Sequence, residues 1–251
     1  MTNKYMYFIA NWKMFGNVNS LNSINKVVNF LKRFKYKKFS KVVYCLPNTL
    51  IHSLSNSKSS QLISVGAQNC HQNKTPGAFT GFVNSSMLKS VGAKYVIIGH
   101  SENRQKGEND LQINKKIKSA LQNKLSVIFC IGETILQKRK KLTKKILKSQ
   151  ILKGLNGIKN KSKIIVAYEP VWSIGTGILP KGFELNENIN SIRLFIKKNI
   201  KLKNIAVIYG GSVNPNNINI LNSISSIDGF LIGGASHSSK KLIDIVRKSF
   251  N

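Results

Sequence analysis

The stretch KIIVAYEPVWSIGTG, residues 163–177, decides the fold of this 251-residue chain. Its first six residues form an almost continuous apolar run, which is typical of a parallel strand buried on both faces. A polar loop that contains glycine follows at once. Similar runs recur at 5–10, 41–46, 62–67, 94–99, 126–132, 205–210 and 229–234. The chain therefore contains eight candidate parallel strands.

The segments between these runs carry apolar residues at helical spacing, as in INKVVNFLKRF (24–34) and LTKKILKSQILKGL (142–155). Eight strand-then-helix units joined by right-handed crossovers close naturally into a barrel. We therefore predict the α/β class, with one (β/α)8 TIM-barrel domain over residues 1–251. An open, doubly wound sheet is the alternative, but no GxGxxG motif follows the first strand.

The charge balance is extreme, because 40 Lys and Arg residues face only 9 Asp and Glu residues, for a formal net charge of +31. Such a surplus ordinarily suggests nucleic acid or an anionic membrane as a partner. Here the lysines are spread along the whole chain and accompany many Asn and Ile residues, all with A- and T-rich codons. We interpret this as compositional drift and expect no nucleic-acid partner. No apolar stretch has transmembrane length, so no membrane partner is expected either.

The three cysteines, Cys45, Cys70 and Cys130, have neither paired nor metal-binding spacing. Cys45 and Cys130 lie in apolar runs and are interpreted as small buried hydrophobic residues. The odd count and the lack of a signal peptide favour the reducing cytoplasm. We expect neither a metal nor a cofactor.

Several polar residues lie where the predicted strands end, which in a barrel is the face where the loops converge. Asn11 and Lys13 follow the first run, His100 the fourth, Glu133 the fifth and Glu169 the sixth. Taken singly, each has an ordinary explanation as a surface charge, an ion pair or a structural histidine. With only 9 acidic residues in the chain, however, an acid at such a position is unlikely to be mere surface charge. The sequence predicts that these side chains meet at one mouth.

Eight short motifs occur in order: ANWKM (10–14), GAQN (66–69), GAFTG (77–81), GHSENR (99–104), CIGET (130–134), AYEPVWSIGTG (167–177), YGGSV (209–213) and GGAS (233–236). Together they resemble the triosephosphate isomerase family over roughly residues 5 to 249. The resemblance implies interconversion of dihydroxyacetone phosphate and glyceraldehyde 3-phosphate, in glycolysis and gluconeogenesis. It also implies a homodimer that needs no metal or cofactor.

The resemblance assigns chemical roles to five residues. Glu169 would be the base that removes a C–H proton, and His100 the neutral imidazole that polarises the carbonyl group, as is established for triosephosphate isomerase itself. Lys13 would stabilise the developing negative charge, and Asn11 would donate a hydrogen bond nearby. Glu102 would contact or orient Lys13.

The phosphate of the substrate needs hydrogen-bond donors. By the same resemblance, these are backbone N–H groups of Gly175, Ser212, Gly233 and Gly234, since glycine allows close approach of the backbone. The segment 170–180 would be a lid that excludes water.

Four further residues would support the site. A fifth residue, Pro180, departs from the family pattern at the lid. Ser101 would hold Glu169 in its resting position, and Glu133, Trp172 and Tyr209 would have supporting roles. In the family, a backbone N–H at the position of Pro180 bonds the tyrosine of YGGSV, and proline has no N–H. We therefore expect an altered latch, with lower turnover or more loss of phosphate.

A second departure concerns the dimer contact. Phe82 and Asn103 stand where the family has a glutamate and an arginine that pair across the interface. Loss of both partners together avoids leaving one charge buried and unpaired. We expect the dimer to persist through Phe82, with Thr80 reaching the partner's loop. His237 replaces a leucine and is expected to touch only the helix after the last strand.

The alternative function is a catalytically eroded basic barrel that binds anions or nucleic acid. Drift that had released the enzyme from selection should have altered some of the site residues as well as the surface. The five catalytic candidates and the phosphate glycines are all present, which favours the isomerase.

Overall fold

The computed structural model describes residues 5–202 and 204–250. Over these residues, eight parallel strands pair in chain order, and β1 also pairs with β8 to close a barrel. The strands are β1 Met6–Asn11, β2 Ser40–Leu46, β3 Ser64–Ala67, β4 Tyr95–Ile98, β5 Ser126–Ile131, β6 Ile164–Tyr168, β7 Ala206–Tyr209 and β8 Gly229–Ile232. The predicted (β/α)8 barrel is confirmed.

Helices lie between the strands and surround the barrel. They are α1 Asn22–Arg33, α2 Asn48–Ser55, α3 Ser85–Ser90, α4 Ser101–Gln105, α5 Asp110–Gln122, α6 Ile135–Arg139, α7 Thr143–Gly154, α8 Gly182–Phe195, α9 Ile218–Asn222 and α10 Ser239–Lys248. In α1 the buried residues Ile24, Val27, Val28 and Leu31 follow the predicted helical spacing. Within the described part of the chain, no helix is both long and apolar enough to cross a bilayer.

Two apolar cores explain why the strand sequences are almost continuously hydrophobic. Alternate strand residues fill the barrel interior, among them Ile9, Ile128 and Ala167. Their neighbours, such as Phe8 and Phe129, pack outward against the helices. Because both faces of each strand are buried, neither face carries a polar alternation.

The barrel closes at a glycine. Gly229 pairs with Tyr7 across the β1–β8 seam, at φ +148°. A side chain there would overlap the backbone of Tyr7, so only glycine permits this approach. The glycines that end four predicted runs lie just past the strands, in the loops at the carboxyl end of the barrel: Gly99, Gly132, Gly210 and Gly233. These loops form the mouth where the polar residues were expected.

Candidate active site

A cavity of about 480 Å³ opens at the carboxyl ends of the strands. Side chains from three strand ends line it, and backbone from the loops after β6, β7 and β8 completes it. The predicted site residues in its lining are Asn11, Lys13, His100, Glu169, Gly175, Ser212, Gly233 and Gly234. The structure thus brings together the residues predicted for chemistry and those predicted for phosphate binding. Lys241 also lines the cavity and was not foreseen.

Glu169 directly follows β6 and is almost completely buried, with 3% of its surface exposed. Its Oε1 lies 3.5 Å from Nε2 of His100, while its Oε2 has no hydrogen-bond partner among the described residues. Burial raises the pKa of this carboxyl group, although the neighbouring His100, Cys130 and Lys13 oppose the shift. A buried carboxylate with one unpaired oxygen is a stronger base than an exposed one.

The ring of His100 is held by the turn that begins α4. The backbone N–H of Glu102 donates to Nδ1 of His100 at 3.3 Å. Since a backbone N–H can only donate, Nδ1 must accept, and the ring proton resides on Nε2. The Nε2–H group therefore points at Glu169 and the cavity.

Lys13 is fixed in position by its backbone and by a carboxylate. Its Nζ lies 2.6 Å from Oε1 of Glu102, which confirms the predicted contact. Partial burial opposes ionisation of Glu102, but the hydrogen bond from Lys13 and the charge of Lys13 lower the net pKa of that carboxyl group. Lys13 has φ +53°, a left-handed conformation that costs a non-glycine residue about 1 kcal/mol or more. The Asn11 side chain accepts its backbone N–H at 3.1 Å and stabilises this turn.

The amino-terminal arm of the lid segment is anchored by Glu133. Its carboxylate accepts hydrogen bonds from Nε1 of Trp172 at 2.9 Å and from the hydroxyl of Tyr168 at 3.2 Å. Nζ of Lys138 lies 3.9 Å from the centre of the Trp172 ring. Burial raises the pKa of Glu133, and the bonds from Trp172 and Tyr168 oppose this. Glu133 does not line the cavity; through Trp172 it contacts the lid segment instead.

The tip of the lid consists of exposed backbone. Gly175 and Gly177 have φ +71° and +78°, values at which other residues are strained. The backbone N–H of Gly177 donates to Oγ of Ser212 at 3.0 Å, which fastens the tip to the loop after β7. Gly175 and Ser212 both line the cavity.

A sequence model named triosephosphate isomerase matches residues 6–249. The chain belongs to the triosephosphate isomerase family. It is 40% identical to the triosephosphate isomerase of Dictyoglomus turgidum over 250 residues, covering 95% of this chain and 97% of the relative. It is also 40% identical to that of Buchnera aphidicola subsp. Baizongia pistaciae, with 99% of both chains covered. Membership of this family makes the protein an isomerase.

A solved triosephosphate isomerase from Bartonella henselae superposes with a TM-score of 0.86 at 29% identity, over 98% of this chain and 99% of that one. The fold agrees along nearly its whole length. Among the described residues, no group of three or more His, Cys, Asp or Glu side chains is arranged to hold a metal ion.

One contact inferred from the triosephosphate isomerase resemblance is not present in this structure. No hydrogen bond among the described residues joins Ser101 to Glu169; the carboxylate faces Nε2 of His100, and Cys130 lies close enough to influence its pKa. Cys130 was interpreted as a small hydrophobic residue, and nothing in its spacing indicated that it lies beside Glu169. It lies on β5, beside the strand that carries Glu169.

The latch of this triosephosphate isomerase family member also differs from the family pattern. Pro180 is buried and offers no N–H, as expected. The hydroxyl of Tyr209 lies 2.8 Å from Oγ of Ser173, and that Oγ lies 2.6 Å from the carbonyl oxygen of Ile178. Ser173 was not singled out from the sequence, because nothing in its spacing shows that it meets Tyr209.

The surface that carries the predicted dimer residues is aromatic. Thr80 and Phe82 are exposed, and the rings of Phe79 and Phe82 lie 4.5 and 5.0 Å from that of His71. Asn103 is half-buried in the short helix α4.

The expectation for His237 is wrong, because this residue contacts the first loop of the barrel. Its Nε2 lies 3.0 Å from the carbonyl oxygen of Trp12, and its ring packs 4.6 Å from that of Phe15. The residue therefore bridges the last and first strand ends.

Proposed function

We propose that this protein interconverts dihydroxyacetone phosphate and D-glyceraldehyde 3-phosphate, in glycolysis and gluconeogenesis, by proton transfer through an enediolate. The observation that carries the proposal is the buried carboxylate of Glu169. It faces Nε2 of His100 in the cavity that Lys13 also lines. The base Glu169, the electrophile His100 and the cation Lys13 thus line one partly buried cavity.

Each side chain has a distinct task in this reaction. Glu169 removes the proton from the carbon beside the carbonyl group and returns it to the neighbouring carbon. Its raised pKa makes the proton transfer more favourable at neutral pH. The Nε2–H group of His100 donates to the oxygen that gains charge. Lys13 stabilises the same enediolate, and Asn11 donates nearby.

The phosphate is held mainly by backbone. Gly175, Ser212, Gly233 and Gly234 line the same cavity as the base, and their backbone N–H groups would bond the phosphate oxygens. Gly234 has nothing within 4 Å of where a Cβ would stand, so the backbone is open to a ligand. Closure of the segment 170–180 over the cavity would exclude water and protect the enediolate from losing phosphate.

We further propose a cytoplasmic homodimer. Met14 is 94% exposed, and Phe15 and Phe82 are each at least 60% exposed, which is unusual for large apolar side chains unless a partner covers them. Thr80 lies in the same loop as Phe82 and would reach the partner's Asn11. Sedimentation velocity at micromolar concentration should show a dimer of about twice the 28.0 kDa chain mass. Monomer alone would contradict this proposal.

The catalytic proposal is tested by a coupled isomerase assay on D-glyceraldehyde 3-phosphate. Glu169→Gln keeps the size of the side chain but removes the base, so we expect kcat to fall by about 10³-fold. Glu187→Gln is the matched control, because Glu187 is an exposed glutamate paired with Lys144 away from the cavity. An inactive wild-type protein that binds nucleic acid at physiological salt would instead support the eroded barrel.

A further inference from the structure

A buried chain of hydroxyl groups joins both arms of the lid segment to the barrel. Ser173 lies in the amino-terminal arm and is completely buried. Its Oγ contacts the carbonyl oxygen of Ile178, in the carboxyl-terminal arm, and the hydroxyl of Tyr209, at the end of β7. Ser173 thus links the arm that carries it to the opposite arm of the lid segment and to the end of β7.

The direction of these hydrogen bonds follows from the groups themselves. The carbonyl oxygen of Ile178 can only accept, so the single proton of the Ser173 hydroxyl is donated to it at 2.6 Å. The hydroxyl of Tyr209 must then donate to Oγ of Ser173 at 2.8 Å. Burial raises the pKa of Tyr209 to about 12, so the phenol keeps its proton at neutral pH. The relay therefore runs from Tyr209 through Ser173 to Ile178, with each donor satisfied.

The space for this relay is created by a glycine. A side chain at Gly211 would collide with the hydroxyl of Tyr209 and would lie 2.8 Å from Oγ of Ser173. The two hydroxyl groups pack directly over this backbone.

The relay matters because Pro180 cannot donate the backbone hydrogen bond that other family members offer to the tyrosine at the position of Tyr209. A proline nitrogen has no hydrogen, so the phenol cannot receive a backbone N–H from that position. A buried hydroxyl without a hydrogen-bond partner would destabilise this part of the structure. Ser173 supplies the partner from the opposite arm of the same segment.

We propose that Ser173 is a positioning residue of the isomerase, which holds the lid segment closed by relaying the Tyr209 hydroxyl to the Ile178 carbonyl. This inference rests on the proposed isomerase function. A lid held less firmly exposes the enediolate to water and to its own side reaction. In that reaction the C–O bond breaks, phosphate leaves with the bonding electrons, and the remaining enol becomes methylglyoxal.

The experiment compares Ser173→Ala, Tyr209→Phe and the double variant. We expect each single variant to lower kcat about five- to tenfold, the effect of one buried hydrogen bond. KM should change less, and the ratio of phosphate released to triose isomerised should rise by a similar factor. The double variant should be no worse than either single variant, because all three break the same relay. Ser249→Ala is the matched control, since Ser249 is a buried serine bonded to a backbone carbonyl at the end of α10.

Three results would overturn the relay. The first is an unchanged kcat and phosphate ratio in Ser173→Ala, and the second is a double variant in which the two losses multiply. The third comes from amide hydrogen exchange, which does not depend on activity. Residues 171–179 should exchange faster in Ser173→Ala than in wild type. Equal exchange rates in the two proteins would contradict the proposal that Ser173 holds the lid. If wild type is inactive yet exchange accelerates in the variant, the proposed function fails and the fastening stands.

Discussion

The floor and the lid of the reaction mouth are built from different chemistry. The floor, made of Lys13, His100 and Glu169, consists of ionisable side chains at strand ends, and two of the three are buried. The lid, residues 170–180, is closed by neutral hydroxyl and backbone groups. The floor therefore controls the charge that develops in the reaction, whereas the lid controls whether water reaches it. The two regions should respond differently to mutation and to pH.

Removing the cation of the floor should have the larger effect. Lys13→Met keeps an unbranched side chain but removes the charge, and we expect kcat/KM to fall by about 10²–10³-fold. The variant also leaves Glu102 without its partner at 2.6 Å, which adds negative charge beside the enediolate. The assay is the one used for Glu169→Gln.

Lys106→Met provides the matched control for that change. Lys106 acts electrostatically on the same Glu102 but is exposed and does not line the cavity. A loss in Lys106→Met as large as that in Lys13→Met would mean that general surface charge, not the placement of Lys13, stabilises the reaction.

The sequence allowed the barrel to be predicted because strand burial on both faces leaves a local pattern. An apolar run such as 163–168 requires no knowledge of its neighbours. The floor could also be predicted, since a barrel brings all carboxyl strand ends to one mouth. Residues that follow successive runs were therefore expected to meet.

The contacts that could not be predicted depend on distances between segments. Cys130 lies on the strand beside the one that carries Glu169 and influences its pKa, and Ser173 bonds Tyr209 from a different loop. His237 contacts the carbonyl group of Trp12, which is 225 residues away in the chain. The spacing of small polar residues in the sequence does not predict these contacts. A buried cysteine, for example, is commonly only a packing residue.

The contrast in charge predicts a contrast in how stability depends on pH. The pKa of Glu169 is raised in the folded protein, so its contribution to stability is present below its unfolded pKa and is lost as pH rises through the folded value. Glu169→Gln removes that loss. The variant should therefore be more stable than wild type at about pH 8, and the difference should shrink towards about pH 4.

The stability of the lid variant Ser173→Ala should not depend on pH in this way. Ser173→Ala removes a neutral group, and Tyr209, whose pKa is raised to about 12, does not titrate in this range. The loss of stability in Ser173→Ala should thus be the same at about pH 4 and at about pH 8.

Thermal unfolding followed by circular dichroism measures the stability of both variants. For a chain of this size, 1 kcal/mol of unfolding free energy corresponds to a shift in Tm of about 2–4 °C. Glu187→Gln, an exposed glutamate, controls for the net charge. If the stability gain of Glu169→Gln were independent of pH, the buried carboxylate would not be the strained element of the floor. A pH-dependent loss in Ser173→Ala would show that the lid is coupled to an ionisable group.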